Sequence, residues 1–153
     1  MKLVIKAAEE KHVVPCVKIL QNTGIGRVYF SDSKKTVDLL LRAFAQRELF
    51  VALKDEECLG FVYYLPKGVF GSYPYLHLLA VKEEYRNLGI GKQLIKYFEE
   101  NASAYASTKY FLTVDDFNPR ARKLYESLGY QRVGELKDFY GKGITSYIMM
   151  KGS

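Results

Sequence analysis

The sequence predicts a mixed α+β fold, a single domain in which helices cover the faces of one sheet. Three observations predict it. Strand-like and helix-like runs follow in the order β-α-α-β-β-β-α-β-α-β-β, neither strictly alternating nor segregated. The run Leu76–Val81 is apolar on both alternating faces apart from His77, as a strand in the middle of a sheet is. The chain has 153 residues, 48% hydrophobic and 26% charged, which suits one globular domain burying about two thirds of its extended surface.

Each element has its own signal. Leu3–Ala7 alternates weakly and reads as the first strand. A helix follows over about 9–21, with Val13, Val17 and Leu20 on one face and Cys16 among them as a packed thiol. Asn22-Thr23-Gly24-Ile25-Gly26 ends it, and a loop to Asp32 is expected, made unusually apolar by Tyr29 and Phe30. Asp32 or Ser33 caps a second helix reaching about Gln46, with Val37, Leu40, Leu41 and Phe44 inward. Glu48–Lys54 reads as a strand, Asp55-Glu56-Glu57 as a hairpin turn, and Cys58–Leu65 as a strand stopped by Pro66. Gly68–Tyr73 then connects to the central strand.

The main helix is expected from Gly91 to about Ala104, its face made by Ile90, Leu94, Ile95 and Phe98. Tyr110–Val114 is rich in β-formers. Asn118 and Pro119 fit the N-cap and first position of a last helix. Ala121, Leu124, Tyr125 and Leu128 follow at helical spacing, and Gly129 stops it. Tyr130–Val133 and Ile144–Met149 pair antiparallel around the loop Glu135–Gly143.

Composition excludes several classes. The net charge of +6 is scattered, with no adjacent basic run longer than a pair such as Lys34-Lys35, and no nucleic-acid motif is present. No nucleic-acid partner is therefore expected. Cys16 and Cys58 lie far apart and lack ligand spacing, so neither a metal site nor a disulfide framework is expected. The start MKLVIKAAEEK has too short an apolar run for a signal peptide, and the longest uncharged run, Gly68–Val81, is too short to span a bilayer. A cytoplasmic location without membrane association is the expectation.

The chemistry concentrates where the central strand turns into the main helix. Arg86-Asn87-Leu88-Gly89-Ile90-Gly91 leads into a helix N-terminus, whose first amides have no helical partner and carry partial positive charge, making an anion site. Gly89 and Gly91 let backbone approach a phosphate closely, and Arg86 and Lys92 offer mobile positive charge at the rim. An ordinary turn would look similar, so the motif must discriminate. A P-loop needs Gly where Arg86 stands and a hydroxyl where Gln93 stands. A dinucleotide fingerprint needs Gly or Ala where Leu94 stands.

A third pattern fits. Arg86-x-x-Gly89-x-Gly91, after a strand ending Leu79-Ala80-Val81, resembles the acyl-CoA pyrophosphate loop of the GNAT acetyltransferases, [Q/R]-x-x-G-x-[G/A]. Asn118-Pro119-x-Ala121-x-x-Leu124-Tyr125-Glu126-x-Leu128-Gly129-Tyr130 resembles the same family's N-x-x-A-x-x-[LF]-Y-x-x-x-G-[FY] segment. The resemblance implies a mostly antiparallel seven-stranded sheet with strands four and five splayed and about four flanking helices, forming one GNAT domain over residues 1–153. It implies direct acetyl transfer from acetyl-CoA to a primary amine in a ternary complex, without a metal, and it leaves a homodimer open. It assigns acetyl-CoA binding to Arg86, Asn87, Leu88, Gly89, Ile90, Gly91 and Lys92, to the main chain of Leu79, Ala80 and Val81, and to Asn118.

The resemblance also names Tyr125 as general acid. A phenol of pKa near 10 is protonated at neutral pH and can supply a thiolate of pKa about 8.5. Periodicity alone reads Tyr125 as one more ring on an apolar face. The base is open. Thr113 stands where the peptide N-terminal branch of the family has a strand-five Glu. Tyr75-Leu76-His77-Leu78-Leu79-Ala80-Val81 is similar to the arylalkylamine branch's H-L-H-x-L-A-V, with His77 in place and Tyr75 departing. His77 is thus either a base working through water or a core histidine, and Asp115 and Asp116 are alternative sources. Tyr29, Phe30, Phe139 and Tyr140 suggest an aromatic-walled cleft for a small amine, a peptide N-terminus or a lysine. A catalytically degenerate CoA-binding regulatory module is the alternative to an enzyme.

Overall fold

The computed structural model describes residues 2–102 and 109–152. In chain order these form β1 (Val4–Ala7), a 3-10 turn, α1 (Val13–Gln21), α2 (Gly24–Tyr29), α3 (Ser33–Ala45), β2 (Leu49–Lys54), β3 (Glu57–Val69) and β4 (Tyr73–Val81). A second 3-10 turn (Glu83–Tyr85), α4 (Ile90–Ala102), β5 (Lys109–Asp115), α5 (Pro119–Ser127), β6 (Gln131–Lys137) and β7 (Thr145–Gly152) follow. The sheet runs β1-β2-β3-β4-β5-β7-β6. β1–β2, β2–β3, β5–β7 and β6–β7 are antiparallel. β4 and β5 are parallel, and their ladder is short, Tyr75↔Phe111 and Leu76↔Leu112, as splayed strands require. The expected end of the main helix near Ala104 lies outside the described residues.

Contacts divide the chain into two compact units, residues 1–64 with 78–98, and 65–77 with 99–153. In the first, the apolar stripe of α4 is fully buried as predicted, Ile90, Leu94, Ile95 and Phe98 each being at most 1% exposed. Phe98 meets Tyr64, which stacks on Phe50 with centroids 5.1 Å apart. α3 is capped by Asp32, whose carboxylate accepts from the Lys35 amide. Its buried face is Thr36, Leu40 and Ala43, with Val37, Leu41 and Phe44 half-buried. Thr36 can turn inward because its hydroxyl donates to the Asp32 and Phe30 carbonyls. Cys16 and Cys58, distant in sequence, meet in this core as free buried thiols. The Cys58 thiol and burial together hold the Cys16 thiol well above its ordinary range.

Two expectations fail here. The loop expected over Gly24–Asp32 is largely helix α2, which makes five α-helices among the described residues instead of four. Thr23 caps it, its hydroxyl accepting from the Gly26 amide at 2.9 Å. Gly26 marks a close approach, since a Cβ there would sit 1.8 Å from the Leu20 carbonyl oxygen. Pro66 does not stop β3, which continues to Val69. The Tyr64 amide donates to the Glu48 carbonyl, so the nitrogen two residues on faces the same side, where β2 has ended and no ladder donor is needed.

In the second unit, α5 begins and ends as its residues dictate. Asn118 Oδ1 accepts from the Ala121 amide and Pro119 is the first helical residue. Gly129 takes φ +99°, while the Gly129 and Tyr130 amides return to the Glu126 and Tyr125 carbonyls. Tyr130 is buried, and its hydroxyl donates to Glu99 at 2.8 Å. Lys151 Nζ donates to the other oxygen of the same carboxylate at 3.0 Å.

Candidate functional site

The first unit carries the main-chain candidates. β4 ends at Val81, the 3-10 turn reverses the chain, and Arg86–Gly89 delivers it to α4. Asn87 (φ +64°) and Gly89 (φ +85°) are both left-handed. Nothing lies within 4 Å of a Cβ built on Gly89, so backbone conformation and not space makes glycine favourable there. The first helical bond is Gln93 N–H to the Gly89 carbonyl, which leaves the amides of Ile90, Gly91 and Lys92 at the helix start without intrahelical acceptors. Leu88 is 56% exposed and Lys92 is exposed.

Arg86 does not supply the mobile charge expected of it. Its Nε donates to the Val81 carbonyl and a terminal nitrogen to the Asn22 carbonyl, both at 3.1 Å. One of the β4 main-chain acceptors anticipated for a carrier is therefore already engaged within the chain. Leu79 and Val81 are half-buried and Ala80 is buried. Tyr29 and Phe30 lie on the last turn of α2 and its C-cap, rings 6.3 Å apart and edge-on.

The second unit carries the side-chain candidates. Tyr75 and His77 share one face of β4, with ring centroids 5.8 Å apart. The Tyr75 hydroxyl is 3.0 Å from Thr113 Oγ1 and is also hydrogen-bonded by Tyr140. Burial pushes the Tyr75 phenol far up, with smaller opposing help from Thr113. Burial pulls the half-buried His77 imidazole below its ordinary value, so it is neutral at pH 7. Asp115 is buried and accepts from the Ser146 hydroxyl, while Asp116 Oδ2 accepts from the Thr145 amide. Both carboxylates thus help fix β7 beside the end of β5.

Tyr125 is 7% exposed and packs edge-on against Tyr130, centroids 6.1 Å apart. Burial pushes its phenol well above 10, and its hydroxyl makes no hydrogen bond among the described residues. Asn118 spends its side-chain oxygen on the α5 cap. Phe139 and Tyr140 touch edge-on at 4.9 Å and are 64% and 45% exposed. Sequence reasoning missed Thr113 and Ser146 as partners in this cluster. Thr113 is 38 residues from Tyr75, and only the β4–β5 register joins them.

A family model described as "Acetyltransferase (GNAT) family" matches residues 16–130. The chain belongs to the GNAT family. Among its relatives, an N-alpha-acetyltransferase of Sulfurisphaera tokodaii is 31% identical over 110 residues, covering 65% of this chain and 66% of that protein. A thialysine N-epsilon-acetyltransferase of Bos taurus is 36% identical over 81 residues, covering 53% and 48%. This GNAT chain therefore matches just under two thirds of the archaeal relative and about half of the bovine one. Ard1 from Thermoplasma volcanium shares the fold with a TM-score of 0.86 at 19% identity, covering 99% and 98% of the two chains. The PaiA N-acetyltransferase from Thermoplasma acidophilum, in complex with coenzyme A, does so with a TM-score of 0.80 at 16% identity, covering both chains fully. No helix among the described residues is long and apolar enough to cross a membrane.

Proposed function

We propose that residues 1–153 act as one GNAT domain that transfers an acetyl group from acetyl-CoA to a primary amine, directly and within a ternary complex. The observation that carries this reading is the left-handed pair Asn87 and Gly89 opening into the free amides of α4. That arrangement suits a diphosphate. The relatives' names support an amine acceptor, either the α-amine of a peptide or the ε-amine of a lysine-like compound. A fold neighbour holding coenzyme A supports the donor.

In this reading the thioester supplies the acetyl group and the chain supplies position and protons. The amides from Asn87 to Lys92 hold the diphosphate, and Leu79 and Ala80 offer main-chain groups to the pantetheine arm. Asn118, whose oxygen is committed to its cap, offers its amide nitrogen. The amine nitrogen attacks the thioester carbonyl, and a main-chain N–H of β4 steadies the charge on its oxygen. Neutral His77 accepts the amine proton through water, and the C–S bond breaks. Tyr125, a phenol protonated at neutral pH and held more firmly so by its burial, gives the thiolate its proton. Tyr29, Phe30, Phe139 and Tyr140 supply aromatic surface to the acceptor.

The test is thiol release from acetyl-CoA over a panel of N-terminal peptides, lysine analogues and small amines. Turnover should require both reactants. Calorimetric heat with coenzyme A but no turnover on any amine would select a CoA-binding regulatory module.

A further inference from the structure

We propose that Arg86 is a positioning residue, strapping the loop before α4 to the corner between α1 and α2 so that occupancy of the loop is felt at α2. This rests on the reading of that loop as the acyl-carrier site. Arg86 leaves the 3-10 turn in extended backbone, φ −71° and ψ 156°. Its guanidinium is held at two points, the Val81 carbonyl and the Asn22 carbonyl, the latter 64 residues away. Asn22 is the C-cap of α1, where unpaired carbonyls carry partial negative charge and welcome a cation. The same carbonyl accepts from Arg27 Nη1 of α2 at 3.3 Å, so guanidinium groups from both sides converge on one oxygen.

The next residue, Thr23, caps α2, its carbonyl accepting from the Arg27 amide at 3.0 Å and its hydroxyl from the Gly26 amide. Gly26 leaves this corner no slack, because its backbone rests on the Leu20 carbonyl. A ligand that moves the Asn87 amide moves the adjoining Arg86 backbone, and the planar side chain carries that displacement to Asn22. A lysine, a single ammonium on a flexible stem, cannot hold both carbonyls in one plane. A rim cation on a phosphate would behave differently: lysine would largely replace it, and its loss would lessen the salt dependence of binding.

The experiment compares wild type with Arg86→Lys and Arg86→Gln by amide hydrogen exchange, without ligand and with saturating coenzyme A, and by calorimetry with coenzyme A at two salt concentrations. Without ligand, the Gly26 and Arg27 amides should exchange about tenfold faster in both variants. Coenzyme A should slow those amides about fivefold in wild type and leave them unchanged in the variants, even where binding is retained. The salt slope of coenzyme A affinity should be the same in all three proteins. Unaltered exchange in the ligand-free variants, or equal protection by coenzyme A in all three, overturns the strap. So does a shallower salt slope in Arg86→Gln that Arg86→Lys restores, which makes Arg86 a phosphate ligand. If wild type binds no coenzyme A, the carrier reading fails separately, and the ligand-free exchange still decides the strap.

Discussion

The loop before α4 and the cluster on β4 and β5 achieve polarity by opposite means. The loop relies on main chain: two left-handed residues, helix-start amides, and an arginine spent on carbonyls of its own chain. The cluster relies on side chains: Tyr75, Thr113, Tyr140, Asp115 and Ser146 satisfy one another, with half-buried His77 beside Tyr75. A main-chain site tolerates most side chains but few backbone conformations. A side-chain cluster tolerates small backbone variation better than it tolerates loss of a single hydroxyl, because each buried group depends on a named partner.

The sharpest cut falls on the side-chain half. Tyr125→Phe should lower kcat by at least about 100-fold, the lower range for a general acid, while leaving coenzyme A affinity nearly unchanged. Steady-state kinetics and calorimetry on one preparation decide it, and an undiminished kcat returns Tyr125 to packing. The main-chain half is cut by Gly89→Ala. A left-handed alanine costs about 1–2 kcal/mol with no clash at that open position, so coenzyme A should bind roughly tenfold more weakly if the strain is relieved by leaving the binding conformation. Unchanged affinity would break the claim that conformation makes the site.

A smaller effect is expected at Thr113→Val, which removes one of the two partners of the Tyr75 hydroxyl. Urea unfolding should show a loss of about 1 kcal/mol, with coenzyme A affinity untouched. The smallest is a pH dependence to which both units contribute. Burial holds His12 below its ordinary value of 6.5, against the weaker pull of Glu9, and burial lowers His77 in the same direction. His12 Nδ1 accepts from the Glu9 amide at 2.9 Å, which places the proton on Nε2, and that nitrogen has no partner among the described residues. As pH falls below about 6.5 the unfolded chain takes up protons that these folded imidazoles refuse, so stability is lost in that window and regained above it. His12→Asn keeps an acceptor for Glu9 and should flatten the slope of the urea midpoint between pH 5 and 7. His77→Gln should remove the other share.

What could be read in advance divides along the same line. Gly89, Asn118, Pro119 and Gly129 were legible because each acts within a few residues of itself, through a turn or a cap. The α4 stripe was legible from its period. Gly26 misled, since a glycine needed for contact with Leu20 looks the same as one that breaks a helix. Pro66 misled because the missing donor matters only on a side where a strand still runs. The Tyr75–Thr113 bond, the Cys16–Cys58 contact and the engagement of Arg86 with Asn22 depend on pairing and packing between distant segments. Local pattern carries no record of those.

Glu99 offers a practical corollary. Its carboxylate, only 17% exposed, is shared between the Tyr130 hydroxyl and the Lys151 ammonium. Trimming the polypeptide after Met150 would strip one donor from an anion that water barely reaches, and the expense would fall on β7 and the turn after α5. Affinity handles and fluorophores are therefore best fused downstream of Lys151, with that lysine kept.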